Sequence, residues 1–235
     1  MHLKYLITGT GRCGTVFCAR SLTNLGIPCG HESIFDWRGL ELAIKKINGE
    51  KTPELSLVAA KNVLDEEWSL DLNSLEAESS YMSAPYLTHE IIKGTAVIHV
   101  VRDPVKVVNS FCNYLNYFAS EEPMNLYEKF IYDQIPELRS DMPIFDRAAL
   151  YLIRWNEMIE KSKPDFFYRV EDSPEKLFDF IEKKGSLFPN IEINSFKKDI
   201  SDPFLTYKIN NNKLRKEFID MGRRYGYKMF KDLMM

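Results

Sequence analysis

The sequence predicts an α/β fold with a mostly parallel central sheet flanked by helices. Apolar segments typical of buried strands alternate along the chain with segments whose apolar residues recur at helical spacing, which is the pattern of a layered α/β protein. Hydrophobic residues make up 45% of the 235 residues, which is enough to bury one substantial core. We therefore expect a single domain over residues 1–235.

The first strand and the first helix are joined by a glycine-rich turn. Leu3–Thr8 is rich in β-branched and aromatic residues and predicts a strand, and a helix begins near Gly14 and ends at Gly26. Glycines in the stretch 9–14 allow a tight turn and bring backbone N–H groups close to a ligand, while the dipole of the new helix favours negative charge there. The sequence therefore predicts an anion-binding loop, although a simple connecting turn is the alternative.

This loop differs from the phosphate loop of nucleoside-triphosphate enzymes. The spacing from Gly9 to Gly14 matches the first part of that motif, but the motif then requires Lys before its Ser or Thr. Here Thr15 follows Gly14 directly, and the cation is Arg12, inside the loop. Any phosphate group bound here would therefore meet a guanidinium instead of an ammonium.

The remaining elements are predicted from the same signals. Further strands are predicted at 27–30, 78–82, 96–101 and 166–170, and helices at 39–47, from 84 onward, from 104 to about 118, at 145–163 and at 174–184. Prolines divide residues 119–144, which are predicted to hold one or two short helices that form a lid or an acceptor-side wall. The tail from Phe204 onward is basic and aromatic and is predicted to close over a cofactor.

Composition restricts the class of partner and the compartment. The 31 basic and 34 acidic residues give a net charge of −3, so no broad electrostatic surface for nucleic acid is expected and any anion site is local. No apolar run approaches the roughly 20 residues that span a bilayer, and the N-terminus enters the first strand without room for a signal peptide. The four cysteines have no metal-binding spacing, so we expect reduced thiols, no metal and a cytoplasmic protein.

A second anion site is predicted after the strand at 96–101. Arg102 follows this strand directly, Asp103 and Pro104 are a typical N-cap and first helical residue, and Ser110 lies two turns into the helix. Ligands collect at the carboxyl ends of strands in open α/β sheets, so the guanidinium and the hydroxyl can converge on one phosphate. The alternatives are an ion pair for Arg102 and an exposed helical serine for Ser110.

Together these two segments resemble the sulfotransferases that use 3′-phosphoadenosine 5′-phosphosulfate (PAPS), in particular bacterial and carbohydrate-type members. The shared motifs are Gly-Arg-Cys-Gly-Thr at 11–15 and the Arg102…Ser110 spacing, with looser matches at 79–87, 168–172 and 224–227. The resemblance implies a three-layer sandwich like that of P-loop nucleotide hydrolases. It also implies PAPS as donor, 3′-phosphoadenosine 5′-phosphate (PAP) as product and no metal.

The resemblance also implies the binding residues. The first loop would hold the 5′-phosphosulfate and the second pair the 3′-phosphate, and a C-terminal basic loop closes over the nucleotide in relatives, although this chain lacks their Arg-Lys-Gly triplet. The implied cofactor-binding residues are Gly11, Arg12, Cys13, Gly14, Thr15, Val16, Arg102, Ser110, Lys208 and Asn210. The acceptor would be a hydroxyl group of a small molecule, lipid or carbohydrate, with an amine less favoured. The sequence indicates no oligomeric state.

The resemblance places the catalytic base after the second strand. Relatives use either Glu or His, and this chain has both, as His31 and Glu32. We favour Glu32, with His31 as competitor because its ordinary pKa near 6.5 suits proton abstraction. Arg12 would stabilise the charge that develops on the leaving phosphate. Without the resemblance, an exposed carboxylate and a packed histidine are the simpler interpretations.

Two other function classes remain open from sequence. A small-molecule kinase would explain the glycine-rich loop, with Asp103 as a magnesium ligand, although the missing loop lysine counts against it. A noncatalytic nucleotide-binding module of the same fold would keep the pocket without the chemistry.

Overall fold

Five parallel strands form a central sheet, as the sequence predicts. The computed structural model describes residues 2–50, 72–113, 115, 117–120, 122–182, 206 and 208–230. The strands in these ranges are β1 (Tyr5–Gly9), β2 (Cys29–His31), β3 (Ala77–Ser79), β4 (Ala96–Val101) and β5 (Phe166–Arg169). Every neighbouring pair is parallel, and the order across the sheet is β2-β3-β1-β4-β5.

Helices cover both faces of this sheet. In the described ranges they are α1 (Thr15–Asn24), α2 (Leu40–Ile47), α3 (Pro104–Asn113), α4 (Leu126–Gln134), α5 (Ile144–Lys161), α6 (Glu175–Phe180) and α7 (Asn212–Arg224). The predicted α/β class is confirmed, and the arrangement is consistent with a three-layer sandwich. None of these helices is long and apolar enough to cross a membrane.

The helices predicted from 84 onward and from 104 to about 118 differ from the structure. The helix expected from 84 onward is a 3₁₀ helix, Tyr81–Tyr86, with Pro85 inside it, because proline lacks the N–H that a longer ladder needs. The helix expected to reach 118 ends at Asn113. The chain then turns, with the amide of Phe118 donating to the buried carboxylate of Glu128 on α4 at 2.7 Å. The second difference depends on a contact that a local apolar pattern does not contain.

The helix expected at 174–184 is shorter than predicted. It ends at Phe180, and positions 183 and 184 lie outside the described residues. Helix α7 was not predicted as a separate element. The predicted insertion at 119–144 does hold a short helix, α4, capped by the side chain of Asn125, which accepts from the amide of Glu128.

Two apolar cores, one on each face of the sheet, hold the layers together. Alternation along β1 directs Leu6 to the core that includes α2, α3, α5 and α7, and Ile7 to the core that includes α1 and α6. After β1 the chain therefore passes to one face of the sheet, and after β4 it passes to the other. Since these two strands are neighbours, with Gly9 opposite Val100, a crevice opens between the two following loops at the carboxyl ends of the strands.

Candidate functional site

A cavity of about 270 Å³ lies at the carboxyl ends of the sheet. Residues that follow β1, β2, β3 and β4 all contribute to it, as expected for ligand sites in open parallel sheets. Of the residues predicted from sequence, the following line it: Gly11, Arg12, Gly14, Thr15, Val16, His31, Glu32 and Arg102. The structure therefore brings the first loop, the second-strand pair and the post-β4 arginine to one place.

The start of α1 forms the amide-rich part of this cavity. Gly14 is the N-cap residue, with φ of 110°, and it has no side chain with which to cap the helix. The first turn of a helix has N–H groups without intrahelical acceptors, and here that turn begins at Thr15 against the cavity. The helix carries no acidic residue in its first turn. Its dipole and amides therefore favour an anion at this position.

Two amides of the predicted cradle have partners inside the protein. The amide of Gly11 donates to the hydroxyl of Tyr151 at 2.8 Å, and the amide of Cys13 donates to the carbonyl of Thr10 at 3.3 Å. Cys13 is fully buried, and this burial raises its thiol pKa to about 12, so it is not a nucleophile at neutral pH. The amides of Gly11 and Cys13 are thus engaged within the protein, and Cys13 packs beneath the loop.

Gly11 is required by the packing beneath the loop, which leads to a stability prediction. A Cβ at this position would lie 2.8 Å from the ring of Phe111, a side chain that packs edge-on against Tyr151 in the core. We expect Gly11→Ala to lower the free energy of unfolding by about 1–3 kcal/mol through overpacking, measured by urea denaturation. Gly26→Ala is the control, because its Cβ would meet open space and only the positive φ costs energy. A Gly11→Ala protein as stable as wild type would contradict the crowding at Gly11.

The two predicted anion-binding segments are in direct contact. The Nε of Arg12 donates to the Oγ of Ser110 at 3.0 Å, and the Nη1 of Arg102 donates to the carbonyl of Arg12 at 3.2 Å. Burial, followed by the charge of Arg102, lowers the pKa of Arg12, which as a guanidinium stays charged. Ser110 thus reaches the cavity through Arg12, and the two predicted clamps form one continuous cationic patch.

Arg20 is a third arginine of the cavity that the sequence did not reveal. It lies on α1 four residues after Val16, so both side chains share one helix face. The i, i+4 spacing from Val16 is the sequence signal that could have identified Arg20 as a cavity residue. Its charge also contributes to lowering the pKa of His31, which confirms that Arg20 lies near the second-strand pair.

The environments of Glu32 and His31 shift their pKa values in opposite directions. Burial, then the charges of Glu78 and Asp36, raise the pKa of Glu32 to about 8, although 22% of its side chain is exposed. Burial, then Arg20, lower the pKa of His31 to about 4. At pH 7, Glu32 therefore holds a proton and His31 is neutral.

The contacts of these two residues differ as well. The Nε2 of His31 lies 3.2 Å from the Oγ1 of Thr15, whereas 3.9 Å separates it from the Oε1 of Glu32. Glu32 has a positive φ of 53°, and its amide donates to the carbonyl of Ser79 at 3.2 Å. His31 is thus held against the start of α1, while Glu32 extends from a strained turn into the cavity.

Aromatic side chains also line the cavity. We define the aromatic wall as Tyr81, Phe111, Tyr117 and Tyr127, together with the aliphatic Leu115. Burial is the main cause of the raised pKa values of its three tyrosines, and the charge of Glu32 adds to the shift in each. The Glu32 carboxyl group therefore lies close to this wall. The insertion predicted as an acceptor wall does contribute to it, through Tyr127 of α4.

Lys208 and Asn210 are not brought to this cavity. The Nζ of Lys208 lies 5.2 Å from the centre of the Phe145 ring, and the amide of Asn210 donates to the Oδ1 of Asp146 at 2.7 Å. Asp146 also accepts from the amide of Asn211 at 3.2 Å, so the first turn of α5 holds this part of the tail. The expectation that the tail closes over a cofactor is not supported by the described residues 206 and 208–230.

No family model matches the chain, and no curated protein matches it significantly. Within the described ranges, no group of three or more His, Cys, Asp or Glu side chains is placed to hold a metal ion. The geometry of the cavity is therefore the basis for assigning a function.

Proposed function

We propose that this protein is a sulfotransferase that transfers a sulfuryl group from PAPS to a hydroxyl group of an acceptor. One observation supports this proposal above the others. The start of α1, Arg12 and Arg102 supply anion-binding groups to the same cavity that Glu32 and the aromatic wall line. Donor phosphates and an acceptor hydroxyl thus have chemically suitable groups within one cavity.

The donor would bind on the cationic side. The amides at the start of α1 and the Arg12 guanidinium suit the 5′-phosphosulfate, because both stabilise negative charge on a leaving phosphate. Arg102 and Ser110 suit the 3′-phosphate. The Oγ of Ser110 accepts from Arg12, and this hydroxyl can still donate its own hydrogen to a phosphate oxygen.

Glu32 would remove the proton of the acceptor hydroxyl. The acceptor oxygen attacks the sulfur, the bond from sulfur to the 5′-phosphate oxygen breaks, and PAP leaves with the electron pair. A carboxylate whose pKa is raised to about 8 is a stronger base than an ordinary one, so its ionised form, which becomes populated as the pH approaches 8, suits this proton transfer. The lowered pKa of His31 makes its ring a weak base, so Glu32 is the better candidate.

The kinase alternative is less well supported because Asp103 is already engaged. Its Oδ1 accepts from the amide of Val105 at 2.9 Å, and its own amide donates to the Oε1 of Glu171 at 2.9 Å. Asp103 thus acts as the predicted N-cap of α3. The same contact shows that Glu171 holds the start of the segment after Arg102.

Calorimetric titration tests the donor assignment. We expect PAP to bind in the presence of EDTA, and Arg102→Ala to weaken this binding by about tenfold or more, since a hydrogen bond to a charged group contributes about 1.5–3 kcal/mol. Arg139→Ala is the matched control, because this exposed arginine pairs only locally with Asp141. Magnesium-dependent binding of ATP without binding of PAP would support a kinase instead.

A transfer assay tests the reaction itself. Labelled PAPS is incubated with pooled carbohydrate, lipid and phenolic acceptors, and the labelled product is identified by mass. Binding of PAP with no transfer to any pool would favour the noncatalytic module.

A further inference from the structure

Glu78 is a buried acid that the proposed reaction does not use. It lies on β3 with no exposed surface, and its Oε1 accepts from the amide of Ile34 at 2.9 Å. Its Oε2 is buried and has no hydrogen-bond partner among the described residues. Leaving a carboxylate oxygen buried and unpaired is costly, and a glutamine would accept from Ile34 equally well. The presence of an acid at this position therefore requires an explanation.

Glu78 is part of a set of contacts that hold the turn carrying Glu32. The carbonyl of Ser79 accepts from the amide of Glu32 at 3.2 Å, and the Oγ of Ser80 donates to the carbonyl of Phe35 at 2.7 Å. Glu78 holds Ile34 between these two points. Three consecutive residues at the end of β3 thus fix the turn in which Glu32 adopts its positive φ.

The space around the unpaired oxygen is closed. A Cβ at Gly30 would lie 2.3 Å from the Oε2 of Glu78, so only glycine allows β2 to pass this close to the carboxyl group. From α2, the Nζ of Lys46 donates to the carbonyl of Ser33 at 2.6 Å and to the Oδ2 of Asp36 at 2.8 Å. Lys46 is therefore engaged with the turn and with Asp36, and it contributes only its charge to Glu78.

We propose that Glu78 is a positioning residue for Glu32: it fixes the turn that carries the base and sets the charge behind it. This inference rests on the proposed function only where Glu32 is taken to be the catalytic base. The link between the two carboxyl groups can be measured without turnover. The role differs from that of Ser79 and Ser80, which hold the turn without carrying charge.

The charged and titratable groups around Glu32 come from several elements. They are His31 and Asp36 on its own segment, Arg20 on α1, Glu78 on β3, Tyr151 on α5, and the wall residues Tyr81, Tyr117 and Tyr127. Of these, Glu78 is the largest charge contribution after burial itself. Burial also raises the pKa of Glu78, to about 7, so the two acids titrate over overlapping ranges and as a pair.

The test is Glu78→Gln, which keeps an acceptor for Ile34 and removes the charge. The midpoint of the pH profile of kcat/KM, which reports the ionisation of Glu32, should shift to lower pH by roughly one unit because a neighbouring like charge is removed. Donor affinity should be unchanged. Glu76→Gln is the matched control, since this residue lies two positions earlier and forms an exposed ion pair with Lys4 at 2.6 Å. A folded Glu78→Gln protein with the wild-type pH profile would show that Glu78 is only structural.

A titration followed by carboxyl ¹³C NMR separates this inference from the proposed function. In the wild-type protein we expect the Glu32 and Glu78 signals each to show two steps with shared midpoints, and in Glu78→Gln a single Glu32 step at lower pH. Independent single-step curves in the wild-type protein would overturn the inference, even if Glu78→Gln fails to fold. A failure of sulfuryl transfer would overturn the proposed function and leave this titration result intact.

Discussion

We expect Glu32→Gln to lower the rate of sulfuryl transfer by about 10²–10⁴-fold, the usual contribution of a general base. Glutamine has nearly the same shape, so affinity for PAP should stay within a few-fold of wild type. The measurement is single-turnover transfer from labelled PAPS, with calorimetric titration of PAP on the same variant. Because the chemistry alone is changed, the loss should be in kcat and not in donor binding.

His31→Gln is the comparison that decides between the two candidates. The His31 ring lies 3.2 Å from the Thr15 hydroxyl, and its pKa is lowered to about 4, so we assign it to holding the start of α1. Its replacement should reduce transfer less than Glu32→Gln does. If Glu32→Gln kept full transfer while His31→Gln abolished it, the choice of base would be wrong.

The same Glu32→Gln variant has an expected effect on stability that needs no assay of activity. Folding raises the pKa of Glu32 from 4.5 to about 8, so the folded state binds this proton more tightly than the unfolded state does. The associated stability is fully present below pH 4.5 and is lost as the pH rises toward 8, by about 1.4 kcal/mol per pH unit. We therefore expect Glu32→Gln to be more stable than wild type at pH 8.

Urea denaturation from pH 4 to pH 9 measures this difference. The two free energies of unfolding should diverge steadily between the two pKa values and run parallel above about pH 8. Parallel curves over the whole range would mean that the folded protein does not raise the pKa of Glu32. A gain in stability together with a loss of transfer is the pattern expected of a buried functional acid.

The parts of the fold that could be predicted from sequence are those set by local pattern. Strand β4 was predicted at its exact bounds and α5 within two residues at each end, because a continuous apolar run and a long helical stripe are strong signals. The position of residues 208–230 was not predicted. It depends on Asp146, which is distant in sequence and accepts hydrogen bonds from the amides of Asn210 and Asn211. Local composition cannot show which element a tail will contact.

The candidate site shows the same division. The loop at 9–15 and Arg102 could be predicted because their positions after strands place them at one sheet edge. The opposite pKa shifts of Glu32 and His31 could not be predicted, because they depend on Glu78 from β3 and on Arg20 from α1. Two adjacent residues of similar sequence context thus acquire opposite pKa shifts only when β2, β3 and α1 have assembled.

Arg12→Ala should weaken PAP binding by about 10–150-fold, corresponding to one charge-assisted interaction of about 1.5–3 kcal/mol. Arg12 lines the cavity, lies at a positive φ of 65° and contacts both Ser110 and Arg102. Arg12→Lys keeps the charge but not the planar fork, so its loss should be smaller. The measurement is calorimetric titration of PAP at two salt concentrations. Equal affinities for Arg12→Ala and wild type would remove this arginine from the donor site.

The contact between Arg12 and Arg102 also predicts how their effects combine. Separate clamps at the two ends of a nucleotide would give additive losses, since distant sites act independently. Here the side chain of Arg102 donates to the backbone carbonyl of Arg12, a bond that Arg12→Ala would keep, and the charge of Arg102 lowers the pKa of the Arg12 guanidinium. The two side chains are therefore coupled through their like charges. We expect Arg12→Ala and Arg102→Ala together to depart from the sum of the single losses by about 0.5 kcal/mol or more, the lower limit for interacting residues. Strict additivity would mean that the two guanidinium groups bind the donor independently.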